Sequence, residues 1–507
     1  MSLRRIGKQL VANNGAQLVT VFSQLLLAPA FLHAYGKSIY GEWLALTASI
    51  SYLTTFNYGL QTFTNMQMAI HYNRAELQQC RQVESAGLRI LLATLLGSSV
   101  VLLVAFLIPI NSLLHLTIPQ RQAQWTLYIL GCQIMVNMLF GFFIGNYLVV
   151  GSAHRGTNFQ SLLQLLSALS AAGLALTHAT FPVIAGSQIA VTLAGVLFLM
   201  LDLHRIAPAI RPTLRYWKPG ALREVLKPSS QYALLYSSNV LAYQLPILLI
   251  QRILGPGAVV LISVTRTVYS MSRRLLNLVT NSLGPEITLT YSQRDWLKLH
   301  RLYDLSERII LLLTLPITFG SMLATPLLLQ LWLHQGTLYD PAVCLLLGLT
   351  VSVLGLKEHK FQFQFSSNEV RKISYSTILG YLAMTVVSVP AMYRFGLPGF
   401  LICWGVTETL QLFYLLHLNG ELFPKEISMD RKPVYQLFFL LALGSLAVWW
   451  PLQHISGFTY LIQGLLAALV AGITGAASYW IFGVDEVRDI LWRKLALRFP
   501  TLARRGN

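Results

Sequence analysis

Apolar windows of roughly 20 residues recur along almost the whole of this 507-residue chain. They are read near 12–34, 39–63, 86–109, 125–149, 159–177, 182–203, 229–253, 258–283, 304–330, 342–365, 373–393, 397–418, 434–451 and 458–482. Such a pattern leaves few structures open. Inside a bilayer every backbone N–H and C=O must be paired within the protein, and in consecutive apolar segments of this length α-helices do that. The expected fold class is an all-α polytopic membrane protein with about 14 transmembrane helices.

The formal charge of +18, from 37 Lys and Arg against 19 Asp and Glu, raises the question of nucleic acid. The placement of the charges answers it. About 27 of the 37 basic residues fall in the two termini and in alternate loops, against roughly three (Lys37, Arg121, Arg394) in the other loops. That is the positive-inside pattern, so both termini are expected in the cytoplasm, the chain in the cytoplasmic membrane, and no nucleic acid as partner. The early run MSLRRIGKQL resembles a signal-peptide start, but Asn13, Asn14, Gln17 and Gln24 interrupt the apolar stretch that follows, which reads as an uncleaved first helix.

The longest internal hydrophilic stretch, His204 to Pro228, carries six basic residues and four prolines. It divides the chain into an expected six-helix bundle at 1–203, a basic cytoplasmic linker at 204–228, a second six-helix bundle at 229–418, and a remainder at 419–507. The remainder holds two trailing helices and a tail whose Val487, Ile490, Leu491 and Leu495 share one side of a basic amphipathic helix.

One span stands apart. Val259 to Gly284 is long and apolar enough to cross a bilayer yet contains Arg266, Arg273 and Arg274. At helical spacing Ser263, Arg266, Ser270, Arg273, Asn277 and Thr280 recur at steps of three and four, forming one polar, cationic stripe. A charge near mid-membrane costs at least about 2.5–3.5 kcal/mol on insertion scales and is tolerated facing a watery cavity or a partner. Arg266 and Arg273 are therefore candidate binding residues; for Arg274, binding and snorkelling to the surface both stand.

A shift of roughly 219 residues relates the two halves, placing Tyr35-Gly36 on Leu254-Gly255. Under it a second stripe, Thr47, Ser51, Thr54, Tyr58, Gln61 and Asn65, falls on the Arg266 stripe. Likewise Asn13, Gln17, Thr20 and Gln24 fall on Tyr232, Tyr236, Asn239 and Tyr243. Because each half has an even number of helices, the repeats run parallel. Gln17, Gln24, Thr47, Ser51, Thr54, Tyr232, Tyr236, Asn239, Tyr243, Ser270 and Asn277 become candidate cavity-lining residues. Pro29 and Pro246, inside the first and seventh spans, are expected to bend them.

Other ionisable residues lie within spans. Lys357, Glu358 and Lys360 are either a mutually paired structural cluster or part of a site; Glu408 is a candidate proton or cation site, or a counter-charge to a cavity arginine. Glu42, near an outer helix end, reads as solvated. The four cysteines lack metal or redox spacing, and no phosphate loop, HExxH or GxSxG is present, so neither cofactor nor metal is expected. The outer loops are short, which argues against an enzyme with an extracellular catalytic platform.

The block AYGKSIYGEWLALTASISYLTTFNYGLQTFTNMQMA, with Tyr35-Gly36, Tyr40-Gly41, Gly59-Leu60 and Asn65, resembles polysaccharide and O-antigen flippases of the multidrug/oligosaccharidyl-lipid/polysaccharide (MOP) exporter superfamily. The resemblance implies two six-helix bundles plus two trailing helices, alternating access, and a polyprenyl-pyrophosphate-linked oligosaccharide as substrate, for lipopolysaccharide or other cell-surface polysaccharide. It also implies a polysaccharide polymerase and chain-length machinery as partners. Arginine suits such a head group, since its planar, permanently charged fork matches phosphate oxygens. Tyr232, Tyr236 and Tyr243 either stack on sugars or pack. This chain departs from lipid II flippases in carrying neutral polar residues on its first two helices. The rival functions are a cation-coupled multidrug exporter of the same superfamily, which predicts an acidic cavity, and an integral-membrane glycan polymerase or ligase.

Overall fold

The computed structural model describes residues 3–206, 208, 210, 213–216, 234, 236–334, 338–367, 369–424 and 426–483. Most of the basic linker, Tyr232 and the amphipathic tail lie outside the described residues. So does the side chain of Thr54.

Among the described residues there is no strand, and besides a helical stretch at 236–243 there are 14 α-helices. They are α1 (Leu3–Ile50), α2 (Leu53–Asn73), α3 (Leu77–Leu103), α4 (Ile110–Leu114), α5 (Gln120–Val149), α6 (Ala153–Leu176), α7 (Phe181–Ile206), α8 (Leu245–Leu254), α9 (Pro256–Ser292), α10 (Trp296–Leu333), α11 (Pro341–Ser366), α12 (Val370–Glu421), α13 (Lys432–His454) and α14 (Tyr460–Phe482). Among the described residues ten helical segments are long and apolar enough to cross a membrane. The chain is an all-helical, multi-pass membrane protein, as the apolar periodicity predicts.

Three departures from the expected spans have local causes. Expected spans one and two begin within the single helix α1, which turns at Gly36 (φ 75°, ψ 178°); α12 likewise contains Gly396 (φ 63°, ψ −146°). The second span, read as continuous over 39–63, is instead broken at Ser51–Tyr52 between α1 and α2. No proline or glycine sits there. Thr47, Ser49 and Ser51 turn their hydroxyls back onto the carbonyls of Leu44, Ala45 and Thr47 at 2.8–2.9 Å, the back-bonding that bends helices. Thr47 and Ser51 therefore share no single helix with Gln61 and Asn65. Pro246 occupies the first turn of α8, where its missing N–H costs nothing, and the interruption falls just before it at Gln244.

The 219-residue shift reappears in the backbone. Gly36 and Gly255 have nearly the same angles (φ 75°, ψ 178° and φ 86°, ψ 174°), and 255 − 36 = 219. Left-handed Ala75 and Arg294 (φ 60° and 55°) and His115 and His334 (φ 51° and 53°) are separated by the same number, 294 − 75 and 334 − 115. After Ala75 and Arg294 the next N–H reaches back five residues, Glu76 to His71 O and Asp295 to Thr290 O, closing both helices in the same way. At Gly36 and Gly255 an added Cβ would meet nothing within 4 Å, so alanine there tests conformation alone. Each Gly→Ala change is expected to cost about 1–3 kcal/mol, read as a lowered unfolding temperature.

The chain divides into two compact units, residues 1–260 with 374–389, and residues 261–373 with 390–507. In the first, α1 packs along α6, α5 against α7 and α2 against α3, around Phe140, Phe142, Tyr147 and Leu199. Glu42 is fully buried there rather than solvated: its carboxylate accepts from the backbone N–H groups of Thr117 (2.9 Å) and Ile118 (3.2 Å), pinning the loop ahead of α5. In the second unit α10 packs against α14 and α11. Small residues permit the approach to α14: a Cβ on Gly320 of α10 would lie 2.9 Å from the Cβ of Ala471.

Candidate functional site

Four consecutive residues of α11, Lys357 to Lys360, organise the second unit. Successive helical residues are turned by about 100°. The four therefore divide among three neighbouring helices. Lys357 pairs with Glu408 of α12 and donates to Gln411 Oε1 at 2.9 Å. Glu358 meets Arg273 of α9 at 3.4 Å. His359 Nε2 lies 2.7 Å from Ser306 Oγ of α10. Lys360 pairs with Glu307 of α10 and sits 4.0 Å above the Tyr303 ring.

The lysines and the glutamate do not pair with one another, the structural cluster considered from the sequence. Glu408 takes Lys357 rather than a cavity arginine, and its other oxygen accepts from Trp404 Nε1 at 2.8 Å. Each of these three ion pairs is internally neutral, so low dielectric penalises them far less than it would lone charges. Their accessibility differs. Lys360 and Glu307 are 0% and 4% exposed, whereas Arg273 and Glu358 keep 25% and 29%. The first pair is sealed; the second meets whatever fills the space beside α9.

The α9 stripe forms on one continuous helix. Arg266, Ser270, Arg273, Arg274 and Asn277 are all half-buried, while Leu275 and Leu278 face outward. On it Ser263 Oγ and Asn277 Oδ1 are buried without a hydrogen-bond partner among the described residues, and so is Glu358 Oε2 opposite. Seven residues separate Arg266 from Arg273, about 10 Å along the helix axis.

In the first unit Gln17 and, in the helical stretch 236–243, Asn239 are exposed; Gln24, Thr47, Ser51, Tyr236 and Tyr243 are half-buried. Glu307 went unread from the sequence because it lies just inside an uncertain helix boundary, among Asp304 and Arg308. Its signal was available: an acid one turn into an apolar run needs a cation. On the same unit as the α9 stripe, α11, α12 and α13 enclose an apolar groove of about 440 Å³ lined by residues such as Leu349, Val406 and Phe438.

No family model and no curated protein sequence matches this chain. Solved structures do. An inward-facing multidrug resistance MATE family transporter of the MOP superfamily superposes with a TM-score of 0.64 at 16% identity, covering 82% of this chain and 96% of that one. The lipid II flippase MurJ, in an inward closed conformation, gives 0.64 at 13% identity over 95% of this chain and 99% of that one. A MOP superfamily transporter from Pyrococcus furiosus, described by the reverse polarity of its binding pocket, gives 0.57 at 14% identity over 82% and 95%. The likeness is one of fold: this chain has the architecture of MOP-superfamily transporters.

Proposed function

We propose that this protein is a flippase that moves a polyprenyl-pyrophosphate-linked oligosaccharide from the cytoplasmic to the outer leaflet of the cytoplasmic membrane by alternating access, for cell-surface polysaccharide or lipopolysaccharide. In this reading 1–203 and 229–418 are the parallel repeats joined by the basic linker 204–228, and both termini are cytoplasmic, from the distribution of Lys and Arg. A polysaccharide polymerase and its chain-length machinery are the expected protein partners.

The observation that carries the proposal is the cationic stripe of α9. The fold is shared by multidrug exporters and a lipid flippase, so the polarity of the site must separate them. Arg266 and Arg273 lie about two helical turns apart on an otherwise apolar helix. Arginine binds phosphate oxygens through paired N–H donors and stays charged when desolvated. Beside α9, in the second unit, a site for cationic drugs needs an acid not already matched by a cation, and Glu307, Glu358 and Glu408 each hold one. The apolar groove on the same unit offers the isoprenoid chain a surface while the head group crosses.

The test is transbilayer movement of a polyprenyl-pyrophosphate oligosaccharide in proteoliposomes. The intact protein is expected to move it, and Arg266→Ala to slow it at least about tenfold, the loss of one charge-assisted contact. Transport of a cationic dye driven by an imposed ion gradient, with no movement of the lipid, would instead assign the multidrug function.

A further inference from the structure

The first unit contains a second polar space that the arginine stripe does not touch. It has a volume of about 340 Å³ and opens among α1, α5, α6 and α7. Six carboxamides line it: Gln24, Gln133, Asn137, Gln160, Gln164 and Gln188. Gln133 and Asn137 are four residues apart on α5, as are Gln160 and Gln164 on α6, so each pair shares a helix face. Carboxamides within membrane-length helices are costly against lipid. Their convergence from four helices on one space needs a polar occupant.

We infer that this pocket binds the uncharged, hydroxyl-bearing part of a carbohydrate. A carboxamide presents an acceptor oxygen beside two N–H donors, which matches a pair of neighbouring sugar hydroxyls, each both donor and acceptor. Among the described residues no ionisable side chain lines the space, so neither an organic cation nor a phosphate finds a counter-charge there. Hard cations take oxygen ligands with carboxylates supplying the charge, and none is present. Ser23 gives an independent sign: it lines the same space, is 4% exposed, and its Oγ has no hydrogen-bond partner among the described residues. A pocket near the lower end of the 300–1,000 Å³ range of small-molecule sites, at about 340 Å³, accommodates a sugar ring with its hydroxyls. The inference deepens the flippase reading and rests on it for where the sugar comes from. The binding chemistry stands apart from the pyrophosphate.

Saturation-transfer NMR tests it, using the full chain in phospholipid nanodiscs, free of glycosidic detergent. The probes are free uncharged oligosaccharides of glucose, N-acetylglucosamine, mannose and rhamnose, with neither lipid nor phosphate. At least one is expected to receive saturation. Gln160→Leu/Gln164→Leu, which suits a membrane helix, is expected to weaken its binding about tenfold, as two lost hydrogen bonds would, and Lys372→Ala, at an exposed ion pair outside the pocket, to leave it unchanged. Asn137→Leu and Gln188→Leu, on other helices, give the same reading should the double variant fail to fold. Absence of transfer to every sugar, or equal transfer in the leucine variants, overturns the inference. Stabilisation by sodium alone, lost in those variants, would overturn it in favour of a cation site. Sugar binding without Arg266-dependent lipid movement would sink the flippase reading and leave the pocket; lipid movement without sugar binding would do the reverse.

Discussion

Lys360→Met is expected to destabilise the protein by about 3–5 kcal/mol, because it strands the carboxylate of Glu307 in a sealed part of the second unit. Methionine keeps the length and much of the volume of the lysine stem, so packing changes little and the lost charge dominates. The contact with the Tyr303 ring weakens as well. Thermal unfolding in a fixed detergent reads the effect, with Lys372→Ala as a comparison. Lys372 and Glu421 also pair, but at 62% and 45% exposure, where water already solvates both groups, and little change is expected. Removing both charges separates the two costs. Lys360→Met/Glu307→Leu is expected to recover most of the lost stability, since apolar replacement of a buried pair is often neutral or better. If the double variant is as unstable as the single one, the pair does not account for the loss.

Arg273→Ala and Glu358→Gln are expected to act in opposite directions on transport, although the two residues form one ion pair. Their 3.4 Å contact is partly accessible, and Glu358 leaves Oε2 without a hydrogen-bond partner among the described residues. An anionic head group approaching α9 competes with that carboxylate for the guanidinium. Removing the arginine removes the donors for the phosphate oxygens, and movement of the pyrophosphate-linked lipid should fall at least about tenfold. Neutralising the glutamate removes the competitor, and the lipid concentration for half-maximal transport should fall. A pair serving structure alone makes a different forecast: both variants lose stability and transport together, and the swap Arg273→Glu/Glu358→Arg restores both. On the binding reading the swap restores stability only, because the cation then projects from α11 instead of α9.

The pattern of agreement between sequence and structure follows the range of the forces involved. The polar stripe on α9 was legible because its residues are neighbours on one helix, and helical periodicity is local. The stripe assigned to the first half was less so. Thr47, Ser49 and Ser51 are each compatible with a helix, and the break at Ser51–Tyr52 coincides with their hydroxyl bonds back to the preceding turn. Glu42 was misread for a related reason. Its exposure depends on the loop at Thr117 and Ile118, 75 and 76 residues away.

By itself, then, the sequence determined the all-helical membrane architecture, the 219-residue recurrence and the presence of arginines that lipid alone will not accept. Those follow from hydropathy, helical period and the cost of unpaired backbone in a bilayer, each of which acts within a single segment. The tertiary structure decided partnership. Four adjacent residues on α11 are turned about 100° apart, so the helices packed around it, and not their order in the chain, give Lys357 to Glu408, Arg273 to Glu358 and Glu307 to Lys360. The same holds for the carboxamide pocket, whose lining becomes one surface only where four helices meet.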